Sequence, residues 1–258
     1  MCLLTLSRLG GFKIRPICYH ISKTFSSDNV QAKINTQKLS GDPSLIEVLP
    51  SWKADEEPEL RAAVLRDMQV LPDFVSEAEE AALLAELEPA LKRMRYEFDH
   101  WDNAIQGYRE TERSTWSAAN SLVLARVRQL AFGPGEEPLP HAHVLDLAAA
   151  GFIRPHVDAV RFCGGVIAGL CLASDAVMRL RHAARDHLAL DALIARRCLY
   201  VMRGCARYDF THAVLGGSES VWRGERLPRR RRVAVITRSR PPPAGPPTPP
   251  PTPPPADS

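Results

Sequence analysis

The spacing of apolar and polar residues changes about halfway along the chain. Before the change, apolar residues recur at helical intervals. Ser76 and Glu79 form a capping box ahead of a leucine stripe, which predicts a helix over residues 77–88. A second apolar stripe predicts a helix over residues 118–130, and the turn-forming sequence at 133–135 ends it.

Short apolar runs typical of strands replace the helical pattern after residue 143. Runs at 166–172, 177–180 and 199–202 are separated by turn residues, and the alternation over 232–238 is the clearest strand pattern. Helices followed by strands predict an α+β fold whose second half is a closed double sheet.

Residues 93–101 alternate aromatic and charged side chains, which predicts a strand or an extended edge. Basic and aromatic residues in alternation can also bind a nucleic acid. Acidic residues are mixed in at a similar density here, so a half-exposed strand is the favoured interpretation.

Both ends of the chain differ in composition from the middle. Residues 1–27 carry spaced Arg and Lys without Asp or Glu, which is typical of a mitochondrial transit peptide; a disordered start without a targeting role is the alternative. Residues 28–66 lack a period and are predicted to be a linker to a folded domain spanning 67–240. Eleven of the fifteen residues 241–255 are Pro, so 241–258 are predicted to be a disordered tail, with an SH3 or WW ligand as the alternative.

Composition narrows the class of protein. With 258 residues, 45% of them hydrophobic, the chain can bury a normal core, and a net charge of +3 does not argue for a nucleic-acid partner. No apolar run reaches the length of a membrane span, so we expect no membrane partner. We also expect a monomer. The six cysteines form no Cys-x-x-Cys pair, which indicates free thiols in a reducing compartment rather than structural zinc.

The candidate chemistry centres on His156-Val157-Asp158. Side chains two residues apart on an extended chain share a face, so this His and this Asp are presented together. A second His from far downstream, His212, would complete the 2-His-1-carboxylate triad that holds non-haem Fe(II). His100-Trp101-Asp102 has the same spacing. Several short predicted strands lie between His156 and His212, and a β-sandwich needs such strands to bring its two ends together. They favour His156-Val157-Asp158 over the motif at His100.

Arg232 and Arg238 are six residues apart on the clearest strand, so both point to one face. Guanidinium groups bind carboxylates bidentately and keep their charge, which suits a dicarboxylate such as 2-oxoglutarate beside the metal. Other arginine pairs share this spacing. For either arginine alone, an exposed strand charge is the usual interpretation.

These motifs together resemble the AlkB-type Fe(II)- and 2-oxoglutarate-dependent dioxygenases. The resemblance rests on His156-Val157-Asp158, on His212 at the end of the sequence Arg-Tyr-Asp-Phe-Thr-His, and on Arg232-x5-Arg238. It covers about residues 70–240. It implies a double-stranded β-helix, a cupin-like jelly roll, flanked by N-terminal helices.

The resemblance also implies roles for individual residues. The Fe(II) ligands would be His156, Asp158 and His212, and the 2-oxoglutarate contacts would be Tyr200, Arg232 and Arg238. With O2 as the second co-substrate, 2-oxoglutarate would be decarboxylated to succinate while a substrate C–H bond is oxidised.

Two stretches depart from the family pattern. Leu145-Asp146-Leu147 stands where the family usually has Asn-x-Tyr, so one co-substrate contact is in doubt. The turn before Tyr200 reads Ala-Arg-Arg-Cys rather than Pro-Gly, which leaves the local register open.

The substrate stays open at this level. A protein side chain or a small molecule in the mitochondrial matrix is favoured, and the resemblance implies links to fatty-acid metabolism and programmed necrosis. Mitochondrial RNA is the first alternative, because Arg223, Arg226 and residues 229–232 form a basic cluster. A non-enzymatic β-sandwich module that acts by binding partners is the second. An intact ligand set disfavours that second alternative, because idle polar groups facing a pocket cost free energy.

Overall fold

The structure, a computed structural model, describes residues 40–98 and 103–241. Within those residues we number four α-helices: α1 (Pro58–Asp67), α2 (Glu77–Leu91), α3 (Ala118–Ala131) and α4 (Gly204–Tyr208). The strands are β1 (Ile46–Val48), β2 (Met68–Leu71), β3 (Ile105–Arg113), β4 (Ala142–His156), β5 (Ile167–Leu172), β6 (Ala176–His182), β7 (Arg185–Ile194), β8 (Leu199–Met202), β9 (Phe210–Val214), β10 (Val221–Trp222), β11 (Glu225–Arg226) and β12 (Arg232–Arg238).

Ten of these strands form one antiparallel sheet in the order β1-β7-β6-β9-β4-β12-β5-β8-β2, with β3 paired to β4. Neighbours in this order are far apart in sequence: β12, for example, lies between β4 and β5. The sheet folds back on itself around an apolar interior, so the predicted α+β fold with a double-stranded β-helix is confirmed.

Side-chain parity along β12 separates the two faces of the sheet. Ala234 and Ile236 pack in the interior cluster, whereas Val233 and Val235 pack under the helices on the outer face. Arg232 and Arg238 share the interior parity and line the interior cavity. The sequence prediction that both arginines lie on one face of this strand is therefore correct.

Helices α2 and α3 cover the outer face. At the start of α2, the Ser76 hydroxyl accepts from the Glu79 N–H and the Ser76 N–H donates to the Glu79 carboxylate, which completes the predicted capping box. Leu83 and Leu87 of α2 pack with Val127 of α3 against the sheet. Burying each such side chain stabilises the fold by about 2 kcal/mol. Both predicted helices are confirmed to within a few residues.

The predicted linker over residues 28–66 is wrong for the part that the structure describes. Strand β1 pairs with β7, and α1 buries Val64. Between them, Trp52 is 2% exposed and stacks on Phe210 in the main core. These elements show no clear period in the sequence, and contacts with distant segments stabilise them: β1 pairs with β7, and Val64 of α1 packs in the core. Residues 28–39 lie outside the described residues.

The strand predicted over residues 93–101 is also wrong where it is described. Residues 92–96 form a turn and an irregular stretch after α2, and Glu97 makes a single bridge to Tyr108. Residues 99–102 lie outside the described part of the chain.

The predicted transit peptide (1–27) and residues 242–258 of the predicted tail also fall outside the described residues. Across the described ranges, no helix combines the length and apolarity needed to cross a membrane.

Candidate metal centre and co-substrate pocket

Pairing between β4 and β9 brings the two predicted metal-binding histidines together. His156 is the last residue of β4 and lies directly opposite His212 of β9. Asp158 follows two residues later in the loop after β4. Its Oδ1 is 3.3 Å from His156 Nε2 and 3.5 Å from His212 Nε2. In the described residues, these three are the group of His, Cys, Asp and Glu side chains close enough to hold a metal ion.

The alternative motif cannot be compared directly, because residues 100–102 lie outside the described residues. The three residues preferred from sequence are nevertheless brought within one site, although 54 residues of chain separate Asp158 from His212.

The protonation states of His212 and Asp158 suit a divalent cation. Burial lowers the pKa of His212 to about 3, with help from the neighbouring His156, so its imidazole is neutral. Burial raises the pKa of Asp158, but the Arg238 guanidinium and the hydrogen bond from His156 outweigh it, so the pKa lies well below its usual range. The carboxylate is therefore ionised at neutral pH.

The orientation of His156 also fits a metal ligand. Its Nδ1 donates to the Arg154 carbonyl at 2.9 Å, which leaves Nε2 as the ring nitrogen that faces Asp158. A backbone carbonyl that binds the far ring nitrogen is the usual arrangement of metal-bound histidine. Two imidazoles and one ionised carboxylate form a donor set that fits Fe(II).

Inside the sheet, a narrow cavity runs from the three candidate ligands to Arg232 and Tyr200. Arg232 is 1% exposed, and its Nε donates to Cys171 Sγ at 3.2 Å. Its Nη2 is buried without a hydrogen-bond partner among the described residues. A buried guanidinium without a carboxylate partner is costly, so this end of the cavity is suited to an anionic ligand.

Tyr200 lies opposite Gly169 in the β5–β8 pair, and its ring occupies the space beside that glycine. Burial raises the pKa of Tyr200, although the two arginines oppose the shift. The hydroxyl therefore stays protonated and can donate a hydrogen bond to an anion.

Arg238 lies at the other end of the cavity, next to the candidate ligands. Its Nε donates to Asp158 Oδ2 at 2.7 Å, and its Nη1 is 3.1 Å from His143 Nδ1. The predicted arginine pair therefore shares one cavity, but only Arg232 lacks a carboxylate partner.

The departure from Asn-x-Tyr has a structural role. Asp146 is completely buried and accepts hydrogen bonds from Arg109 and Arg231, while Leu145 on the opposite parity lines the cavity. Asp146 is thus part of an ion-pair network on the outer face and does not reach the co-substrate cavity.

His143 was missed by sequence reasoning. It lies two residues before Leu145 on β4, so the parity of that strand could have placed it in the cavity. Its Nε2 is 2.7 Å from Glu110 Oε2 on β3.

A larger cavity of about 1410 Å³ is also lined by His156 and Asp158. Its lining includes Glu112 of β3, His141 just before β4, Arg161 and the exposed Phe162. This cavity reaches His156 and Asp158, whereas Arg232 lines only the narrow cavity.

Fold and site together define an Fe(II)- and 2-oxoglutarate-dependent dioxygenase. The chain is 52% identical over 184 residues to the mitochondrial alpha-ketoglutarate-dependent dioxygenase alkB homolog 7 of Bos taurus, covering 70% of this chain and 83% of that protein. The protein of the same name from Mus musculus is 52% identical over 178 residues, covering 69% and 80%. The chain belongs to this alkB homolog 7 family of dioxygenases. The predicted family, enzyme class and cofactors are confirmed.

No family profile matches the chain. Among solved structures, a Pseudomonas putida prolyl-4-hydroxylase aligns with a TM-score of 0.47 at 19% identity, covering 69% of this chain and 97% of that one. OsALKBH1 aligns with a TM-score of 0.49 at 13% identity, covering 67% and 97%. Similarity at this level carries no argument about the site.

Proposed function

We propose that this dioxygenase oxidises a C–H bond of a protein or small-molecule substrate in the mitochondrial matrix. One observation carries the proposal: the donor atoms of His156, Asp158 and His212 converge between a closed cavity that ends in Arg232 and an open cavity that can admit a substrate.

His156, Asp158 and His212 are the proposed Fe(II) ligands. The chemistry that Fe(II) supplies when bound is activation of O2, which couples decarboxylation of 2-oxoglutarate to oxidation of the substrate. The chain's own contribution is to present two imidazoles, that of His212 neutral, and an ionised carboxylate, with Asp158 oriented by Arg238.

Tyr200, Arg232 and Arg238 are the proposed co-substrate residues, and the structure supports different roles for the two arginines. Arg232, with its unpartnered buried Nη2, is the proposed anchor for the distal carboxylate of 2-oxoglutarate, and the Tyr200 hydroxyl is a second donor. Arg238 already binds Asp158, so its proposed role is to hold the metal-binding carboxylate beside the co-substrate.

Contacts within the protein disfavour RNA as the substrate. In the basic cluster, Arg231 is paired with Asp146 and Glu88, Arg223 donates to the Ser44 carbonyl, and Arg229 donates to a backbone carbonyl. Arginines used in this way have fewer free donors for phosphates. Demethylation of RNA therefore remains the alternative rather than the proposal.

Turnover of 2-oxoglutarate tests the proposed function. The full chain with Fe(II), 2-oxoglutarate and O2 should form succinate, and a mitochondrial protein extract or an RNA extract should accelerate this if it contains the substrate. His156→Ala, Asp158→Ala and His212→Ala should each abolish iron binding and succinate formation.

His100→Ala is the matched control and should retain iron. If His100→Ala loses iron while His212→Ala keeps it, the proposed ligand set is wrong. If the unaltered chain binds iron but forms no succinate with any extract, the non-enzymatic alternative is favoured.

Both relatives are named mitochondrial, which supports a mitochondrial location for this chain. The matrix is a proposal that rests on the composition of residues 1–27. Fusing these residues to a reporter should deliver it to the matrix, and a cytosolic reporter would contradict this. The links to fatty-acid metabolism and programmed necrosis remain predictions from the resemblance.

A further inference from the structure

We propose that His143, held by Glu110, is a positioning residue for the metal centre. It would set the orientation of Arg238, and through Arg238 the orientation of the Asp158 carboxylate. This inference rests on the proposed ligand set.

The four side chains form a continuous series of short contacts. Glu110 Oε2 is 2.7 Å from His143 Nε2, His143 Nδ1 is 3.1 Å from Arg238 Nη1, and Arg238 Nε is 2.7 Å from Asp158 Oδ2. They come from β3, β4, β12 and the loop after β4, so tertiary pairing alone assembles them.

The chemistry of arginine fixes the direction of each hydrogen bond. A guanidinium carries only donors and keeps its protons, so His143 Nδ1 must accept from Arg238. The neutral ring then carries its proton on Nε2 and donates it to the Glu110 carboxylate. Glu110 therefore selects the one imidazole tautomer that can bind Arg238.

The orientation of Arg238 matters because its Nε holds one oxygen of a proposed ligand. With Oδ2 of Asp158 bound to Arg238, Oδ1 is the oxygen that faces the Nε2 atoms of His156 and His212. Without the acceptor on His143, the guanidinium can rotate about its side-chain bonds, and Asp158 loses its fixed orientation. Substituting a residue that orients a metal ligand in this way typically weakens metal binding by roughly 10- to 100-fold.

His141, just before the start of β4, provides a matched comparison. It lies two residues before His143, and both side chains line the larger cavity of about 1410 Å³. His141 pairs with Glu112 at 3.3 Å, as His143 pairs with Glu110. Its glutamate-paired ring lies nearer the rim, with a side chain 35% exposed against 19% for His143.

Two substitutions separate the two hydrogen bonds of His143. The amide oxygen of Asn can take the place of Nδ1, so His143→Asn retains an acceptor for Arg238. The amide nitrogen of Gln can take the place of Nε2, so His143→Gln retains only the donor to Glu110. The readout is the dissociation constant of Co(II), measured by absorption titration of the full chain without co-substrate.

We expect His143→Gln to weaken Co(II) binding about 10- to 100-fold. His143→Asn should stay within a few-fold of the unaltered protein, as should His141→Asn and His141→Gln. Nitrogen-15 NMR of the metal-free protein should show a proton on Nε2 of His143 and none on Nδ1. Equal weakening by both His143 variants, no weakening by His143→Gln, or a proton on Nδ1 would overturn the inference.

Two further variants keep the test decisive. If thermal unfolding shows that His143→Gln does not fold, Glu110→Ala takes its place. Glu110→Ala should weaken Co(II) binding and give a mixture of His143 tautomers. An unchanged Co(II) affinity would overturn the inference. His156→Ala separates this inference from the proposed ligand set. If His156→Ala retains Co(II), the ligand set itself is wrong; if it loses Co(II) while His143→Gln does not, only the positioning role fails.

Discussion

Arg238 Nε donates to Oδ2 of Asp158 at 2.7 Å, and the other oxygen of that carboxylate faces the two histidines of the candidate metal centre. One arginine thus links strand β12 to the loop that carries the candidate ligand Asp158. The two arginines that share a face of β12 are therefore expected to respond differently to substitution.

Replacing Arg238 by Met should weaken metal binding as well as co-substrate binding. The Asp158 side chain is 10% exposed, so removing the guanidinium leaves a nearly buried carboxylate oxygen without its donor. Losing such a partner costs about 1–3 kcal/mol, which corresponds to roughly 5- to 150-fold in affinity. Co(II) titration measures the effect. Arg197→Met is the control, because Arg197 pairs with Asp73 and Glu77 at the surface; a Co(II) affinity unchanged in Arg238→Met would contradict the prediction.

Replacing Arg232 by Met should weaken 2-oxoglutarate binding and leave metal binding intact. A buried guanidinium–carboxylate pair loses roughly 3–5 kcal/mol when one partner is removed. The half-saturating 2-oxoglutarate concentration should therefore rise by about two to four orders of magnitude. Co-substrate titration of the metal-loaded variant gives the value. A rise no larger than that of Arg197→Met would place the anchor elsewhere.

Replacing Gly169 by Ala should also weaken 2-oxoglutarate binding. A Cβ at this position would lie 2.4 Å from the Tyr200 ring, so the ring must move from its place in the cavity. The shift removes the proposed hydroxyl donor, which is worth about 1 kcal/mol, or several-fold in affinity. Co(II) affinity should not change, since Gly169 lies away from the three ligands. An unaltered co-substrate affinity with a normal melting temperature would show that Tyr200 does not contribute.

Stability should fall in acid through Glu79 at the start of α2. The hydrogen bond from Arg126 lowers the pKa of Glu79 from 4.5 to about 2, with the Ser76 N–H adding to it and burial opposing it. A pKa lower in the folded state means that the ionised form stabilises folding. That stability is fully present above pH 4.5 and is lost as the pH falls towards 2.

The effect is measured by urea unfolding of the unaltered protein and of Glu79→Gln between pH 7 and pH 3. The side chain is 32% exposed, so we expect a difference of about 1–2 kcal/mol at pH 7 that shrinks in acid. Glu77→Gln, at an 85% exposed position in the same turn, is the control. A difference that stays constant with pH would contradict the assignment to Glu79.

The local pattern of the sequence was enough to predict the covering helices and the last strand. Capping at Ser76 depends on residues three apart, and the face shared by Arg232 and Arg238 depends only on the alternation of a strand. The candidate metal ligands could not be predicted from local pattern alone: the choice of His212 depends on the expectation that strands bring it to His156.

Contacts between distant segments could not be predicted in the same way. The sequence predicts a linker for the segment containing Trp52 because this segment has no period of its own, yet the Trp52 side chain packs in the core. The turn after α2 was interpreted as a strand because alternation alone does not show whether a partner strand is present. Each of these features depends on which surfaces the folded sheet offers to the segment.

For the site, the sequence by itself determined the residue types and their faces: His156 with Asp158 on an extended chain, and Arg232 with Arg238 on one strand. The tertiary structure decided what each faces. It placed His143 against Arg238, turned Asp146 away from the cavity, and engaged Arg238 with Asp158 while leaving Arg232 without a carboxylate partner. The physical reason is that parity specifies only the side of a strand, whereas pairing of β4 with β3, β9 and β12 determines which groups are neighbours across it.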